Sequence, residues 1–160
     1  MFGTVLRTGA LIFSALSLGL SFAHVLEAPP RLHAWSPELW RDATVFHGQY
    51  ALFGAVGGPI EVLGVVLLAA LAAMAVYRGR DPVVAAVAAL LFVMALGVWL
   101  AVVNPANGVM ATWRPGPLPA NFTQVRERWE GGHVAMASLK LLGFIALAAW
   151  VGRAATLARG

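Results

Sequence analysis

Four long apolar stretches, separated by polar turns and loops, organise the sequence. They run from about Val5 to Ala23, Tyr50 to Tyr77, Val83 to Val103 and His133 to Val151. Each holds roughly the 20 apolar residues that a helix needs to cross a hydrocarbon core of about 30 Å. The pattern predicts an all-α integral membrane protein, a four-transmembrane-helix bundle with ordered outer loops, in one domain covering residues 1–160. The spans are rich in Ala, Gly, Leu and Val. Small residues let helices approach closely in lipid, where the hydrophobic effect no longer drives association. The first stretch also fits a signal peptide, with Arg7 ahead of the apolar run and Ser21-Phe22-Ala23 as a small-x-small site; we expect it to be retained as a helix.

Composition sharpens the class. Charged residues make up only 11% of the chain, against about 25% in a soluble domain. There are no cysteines, which excludes disulfides, thiolate metal ligands and cysteine nucleophiles. The net charge of +4 does not point to nucleic acid, because the basic residues are scattered over loop ends and form no run. Membrane lipids are the expected surroundings.

The connections are unequal. Tyr77 to Pro82 is a tight turn, whereas Glu27 to Thr44 and Asn104 to Glu130 are long and hold most of the prolines. Trp35, Trp40, Trp113 and Trp129 fall in or beside the long loops, as suits a ring that favours the membrane interface. Short surface helices are predicted from Pro37 and over Asn121 to Glu130, the second capped by Asn121. With four spans, both termini and the short turn share one side. Lys and Arg tie across the membrane: Arg7, Arg78, Arg80, Arg153 and Arg159 face Arg31, Arg41, Arg114, Arg126 and Arg128. Arg7 and the free amino terminus tip the expectation to cytoplasmic termini in a bacterial inner membrane, with the long loops outside.

Ionisable groups in or at the lip of a membrane bundle are costly unless they pair or line a cavity. His24 and Glu27 stand at i, i+3, which places them on one helical face. Glu130 and His133 repeat the spacing in reverse, and His47 precedes the second span. All five are expected at the outer end of the bundle. Glu-x-x-His pairs hold di-iron centres in carboxylate four-helix bundles, and imidazole with carboxylate suits iron, copper or zinc. A His pair also ligates haem. The candidate metal ligands are therefore His24, Glu27, His47, Glu130 and His133. His47 is also a candidate cofactor ligand, and His24, His133 and Glu130 are candidate catalytic groups. The match to a di-iron site is partial, since one motif is reversed and the third span has no acid. The competing reading makes these residues interfacial, capping helix ends and pairing with Arg31, Arg126 or Arg128.

Glu61 and Lys140 lie deeper, and we expect them to pair with each other inside the bundle. A proton path or a base at a pocket floor is the functional alternative. Gly54, Gly57, Gly58 and Pro59 interrupt the second span, either to open a pocket beneath the loops or simply to pack closely. Asn104-Pro105 is expected to end the third helix, with Asn104 and Asn107 alternatively forming a polar wall of the same pocket.

His24-x-x-Glu27-x-Pro29, Asn104-Pro105-x-Asn107, Pro119, Asn121 and Arg126-x-Arg128-Trp129-Glu130-x-x-His133 together resemble the anthrone-oxygenase-like family of small four-helix membrane proteins, a domain of unknown function. The resemblance covers nearly the whole chain. Its most specific part is Trp129-x-x-x-His133 with the Asn-Pro-x-Asn element before it. It implies a four-helix fold and, for some members, oxygenation of a polycyclic anthrone to a quinone.

Two functions follow as expectations. One is a membrane-embedded oxidoreductase or oxygenase acting on a lipophilic aromatic or quinol-like small molecule at the outer His/Glu pocket. The other is a non-catalytic accessory subunit of a larger membrane complex, or a homo-oligomer, binding haem, pigment or lipid. A transporter ranks last, because no inverted repeat is visible.

Overall fold

The computed structural model describes residues 2–156, and these form an all-helical bundle. Helix α1 covers Phe2–His33, α2 Pro37–Arg41, α3 Ala51–Tyr77, α4 Val83–Val98, α5 Asn104–Met110 and α6 Phe122–Thr156. A π-helical segment, Asp42–Phe46, extends α2, and another, Trp99–Val103, joins α4 to α5. Four helices are long and apolar enough to cross a membrane: Gly3–His33, Ala51–Tyr77, Val83–Met110 and Phe122–Gly152. The chain is an integral membrane four-helix bundle.

Apolar side chains face outward as well as inward. Leu16, Phe22, Val56, Val62, Leu90, Leu142 and Ile145 are all exposed on the bundle surface, as suits helices bathed in hydrocarbon. Small or polar character marks the buried face of α1. On α1 the buried positions are Ala10, Ser14, Ser17, Ser21, His24, Ala28 and Arg31. Their alternating spacing of four and three residues keeps one stripe facing its neighbours. α1 packs on α3 and α6, and α4 packs on α6 and α3.

The structure lengthens three of the expected spans, the first of which runs on past Ala23 and through Glu27 to His33, into the expected loop. The third does not stop at Asn104-Pro105 but runs to Met110. A proline in a regular helix lacks an N–H and collides with the carbonyl four residues back. Here the ladder widens first, and the Asn104 N–H reaches back to the carbonyl of Trp99. The Ala101 carbonyl, which Pro105 cannot satisfy, accepts from Arg128 Nη2 at 2.8 Å. The fourth span and the surface helix expected over Asn121–Glu130 merge into α6. Gly131 and Gly132 continue that helix, and Gly132 sits where a Cβ would come within 2.6 Å of Val103 Cγ2.

Two turns fix the ends. α3 closes with Gly79 at φ 62°, where the Arg80 N–H bonds the Ala75 carbonyl and the Gly79 N–H bonds the Val76 carbonyl, the double bond pattern of a glycine-terminated helix. Asp81 Oδ1 then accepts from the Val83 N–H at the start of α4. At the opposite end Ser36 caps α2, its Oγ accepting from the Leu39 N–H at 3.2 Å.

The core has two apolar layers. The one near the short turn contains Ala10, Leu68, Leu71, Ala88, Phe92 and Leu147. The other lies under the long loops and is built on Trp40, Val103, Met110, Trp113, Phe122 and Trp129. The loops are latched to it. Trp40 is fully buried and meets Phe122 and Trp129 edge-on, and Arg41 Nη1 donates to the Gly116 carbonyl at 2.6 Å.

Candidate functional site

Between the two apolar layers lies a cavity of about 340 Å³, within the range of small-molecule sites. α1 contributes Ser17, Ser21 and His24, and α6 contributes Trp129, His133 and Lys140. Tyr50 stands over the entrance of α3, whose wall is Phe53, Gly54, Gly57, Gly58 and Glu61. Trp99 and Val103 of the π segment and Asn107 of α5 close the far side. α3 packs along α1 and α4, whereas the π segment packs on α6, α5 and α4. The cavity fills the gap between the upper half of α3 and that segment. Gly54 and Gly58 are exposed although they line it, so this wall is open toward the lipid-facing side.

His24 and His133 stack face to face, with ring centroids 4.0 Å apart and planes 19° from parallel. An aromatic collar surrounds them. Phe53 lies 4.5 Å and Tyr50 4.9 Å from His24, and Trp129 lies 4.4 Å from His133. Trp129 is itself fixed, because its Nε1 donates to Asn107 Oδ1 at 2.9 Å. Asn107 therefore keeps its amide N–H groups for other partners.

Above the histidines sits Arg31, 1% exposed. Its Nε and Nη2 donate to the two carboxylate oxygens of Glu130 at 3.0 and 2.6 Å. Nη2 also donates to the His24 carbonyl, and Nη1 donates to Glu27 and to the Tyr50 hydroxyl. Tyr50 in turn donates to Glu27 at 3.0 Å. Trp40 Nε1 completes the shell of Glu130 at 2.9 Å. A planar fork matched to a carboxylate is what makes Arg suited to such a buried pair.

At the cavity floor, Lys140 is paired with Glu61, as the sequence suggested. Ser17 Oγ donates to Glu61 Oε2 at 2.8 Å, and Lys140 Nζ donates to Ser21 Oγ at 2.8 Å. The network ties α1, α3 and α6 together at membrane depth.

The structure thus brings His24 and His133 together in the cavity and separates them from their carboxylate neighbours. Glu27 and Glu130 lie outside the lining and are turned onto Arg31. His47 is exposed at the end of the first π segment, also outside the lining. Among the described residues, no three His, Asp or Glu side chains gather as a metal-binding group. The expected ligand set of His24, Glu27, His47, Glu130 and His133 does not converge on one point, because Arg31 claims both carboxylates. A haem held between His24 and His133 does not fit, because the two rings are stacked face to face and leave no room for it between them.

Sequence reasoning did not single out Arg31 as a hub, nor Tyr50, Trp99, Ser17 and Ser21 as site residues. The signal for the α1 residues was present in the stripe Ser14, Ser17, Ser21, His24, Ala28, Arg31, set in an otherwise apolar span. Compared with protein-family models, curated proteins and solved structures, the chain matches none of them.

Proposed function

We propose that this protein is a membrane-embedded oxidoreductase of the oxygenase type, acting on a lipophilic aromatic or quinol-like substrate that enters the cavity from the bilayer. The observation that carries the reading is the stacked His24–His133 pair inside an aromatic-walled cavity that opens beside exposed apolar side chains of α3. An imidazole removes a proton from an acidic phenol or anthrone carbon well at neutral pH. For an anthrone with dioxygen as oxidant, the ring CH₂ gives one proton to imidazole and its electron pair to dioxygen. The resulting C–OO⁻ is protonated to C–OOH by the imidazolium. Loss of the second C–H proton with cleavage of the O–O bond expels water and leaves the quinone carbonyl. Membership of the anthrone-oxygenase-like family belongs to the same proposal, and Asn107, Trp129 and His133 of its motif all line the cavity.

The test is oxygen uptake by the purified chain in lipid nanodiscs supplied with an anthrone. His24→Ala and His133→Ala are each expected to lower turnover by about 10²–10⁴-fold, the usual worth of a positioned acid–base group. Unchanged turnover in both variants would remove the assignment.

A second reading, a binding subunit of a larger membrane complex, draws on the pairing of Glu130 with Arg31 and of Glu61 with Lys140, which leaves few free charges for chemistry. A stoichiometric membrane partner in the purified material, with no oxygen uptake, would favour it.

We also propose a bacterial inner membrane with both termini in the cytoplasm. The support is Arg7 ahead of the first span, on the end that also carries Arg78 and Arg80. The chain has no cysteine, so Tyr77→Cys, at a 91% exposed position beside the short turn, and Thr112→Cys each supply a single thiol. A membrane-impermeant maleimide added to spheroplasts is expected to label Thr112→Cys alone; labelling of Tyr77→Cys alone reverses the topology.

A further inference from the structure

Two buried polar atoms on cavity-lining residues have no hydrogen-bond partner: Nδ1 of His24 and Oε1 of Glu61. Both residues are more than nine-tenths buried. An unpartnered buried polar atom carries a desolvation cost of about 1–3 kcal/mol, more for a charged group, so each such atom needs an explanation. The two stand at different depths. Glu61 is bonded to Ser17 and Lys140, while His24 and His133 lie seven residues further along α1 and α6. At 1.5 Å per residue the two levels are about 10 Å apart.

On α3 the wall between these levels is bare backbone. A Cβ added at Gly54 or Gly58 would meet nothing within 4 Å, and one at Gly57 would meet only Leu20 Cδ1 at 3.4 Å. Three glycines at one face give a flat surface on which an aromatic ring can lie, opposite Trp99 and Trp129. Helix packing does not account for Gly54 and Gly58, since no neighbour occupies the space their side chains would fill.

Resting on the cavity assigned above, though not on the oxidation proposed there, we propose that the site is two-ended and selects a flat aromatic bearing a free hydroxyl, which Glu61 accepts at the floor while His24 bonds a second oxygen at the other end. An ionised carboxylate only accepts hydrogen bonds. Glu61, ion-paired to Lys140, therefore discriminates for a hydroxyl and against an ether or a quinone carbonyl at that position. Rotation about its soft terminal sp³–sp² torsion is the movement by which Oε1 meets the ligand. The site thereby favours the reduced, hydroxylated form of a ligand over its fully oxidised form.

Equilibrium binding to the full chain in nanodiscs, corrected with empty discs, tests this with 2,6-dihydroxynaphthalene and 2,6-dimethoxynaphthalene. The diol is expected to saturate at one per chain and to bind roughly 10- to 100-fold more tightly than the ether, the range of a hydrogen bond to a charged group. In the double variant Glu61→Leu/Lys140→Met that preference is expected to fall to about one. Gly54→Leu, which unlike Gly58 does not precede a proline, places a side chain in the cavity and is expected to weaken the diol by at least about tenfold while leaving the helix intact. Equal affinity for diol and ether in the unaltered chain overturns the proposal, as happens if a bound water alone satisfies Glu61. A preference that survives in the double variant overturns it too. Diol-selective binding without oxygen uptake keeps this inference and removes the oxidation reading. Turnover of substrates lacking any hydroxyl does the reverse.

Discussion

Arg31→Met is expected to destabilise the bundle by about 3–5 kcal/mol, the cost of leaving one partner of a buried ion pair alone. Glu130 is 4% exposed and takes two of its three hydrogen bonds from Arg31. Without the guanidinium its charge faces only Trp40 Nε1. Tyr50 and the His24 carbonyl lose a donor at the same time. Glu27→Gln, by contrast, is expected to cost less than about 1 kcal/mol, because the Glu27 side chain is 44% exposed and screened. Unfolding in mixed micelles with increasing denaturing detergent, followed by tryptophan fluorescence, measures both. Equal effects of the two substitutions would show that Arg31 is not the hub described above. Because Arg31 also fixes Tyr50 beside the histidines, its loss is expected to disturb the cavity mouth before the bundle opens.

Lys140→Met alone is expected to cost a similar 3–5 kcal/mol by stranding Glu61 at membrane depth. Adding Glu61→Leu is expected to restore most of that loss, since apolar residues of similar size often replace a buried pair without net cost. Hydrogen-bonding partners available within the membrane-inserted unfolded state reduce both figures. The same detergent titration, run on the two single variants and the double, gives the coupling directly. A double variant no more stable than Lys140→Met would mean that Glu61 is held mainly by Ser17 and not by the lysine. The double variant also separates stability from recognition: a chain that folds but no longer distinguishes hydroxyl from ether assigns the Glu61–Lys140 floor to the ligand.

The cavity owes its existence to residues that do not fill space. Gly54, Gly57 and Gly58 leave the α3 wall bare, and the π segment at Trp99–Val103 carries the helix past Pro105 so that Asn107 reaches the cavity rather than a loop. π-helical turns within longer helices are frequent at functional sites. Both features are visible in the chain as a glycine cluster and an Asn-Pro-x-Asn run, yet each has an equally good local explanation, packing for the first and helix termination for the second. Only the positions of neighbouring helices distinguish them.

The sequence by itself determined the four apolar helices, the gathering of polar groups at the long-loop end and the partnership of Glu61 with Lys140. Lipid leaves no alternative in these matters: a backbone in hydrocarbon must satisfy its own hydrogen bonds, and a charge at that depth must find its opposite. The tertiary structure decided how His24, Glu27, Glu130 and His133 divide. Residues at i, i+3 differ by about 60° around a helix axis, enough for one to face a cavity and the other a neighbouring guanidinium. Which of them does so depends on where Arg31 comes to rest between α1 and α6, and that is a property of the packed bundle rather than of any one helix.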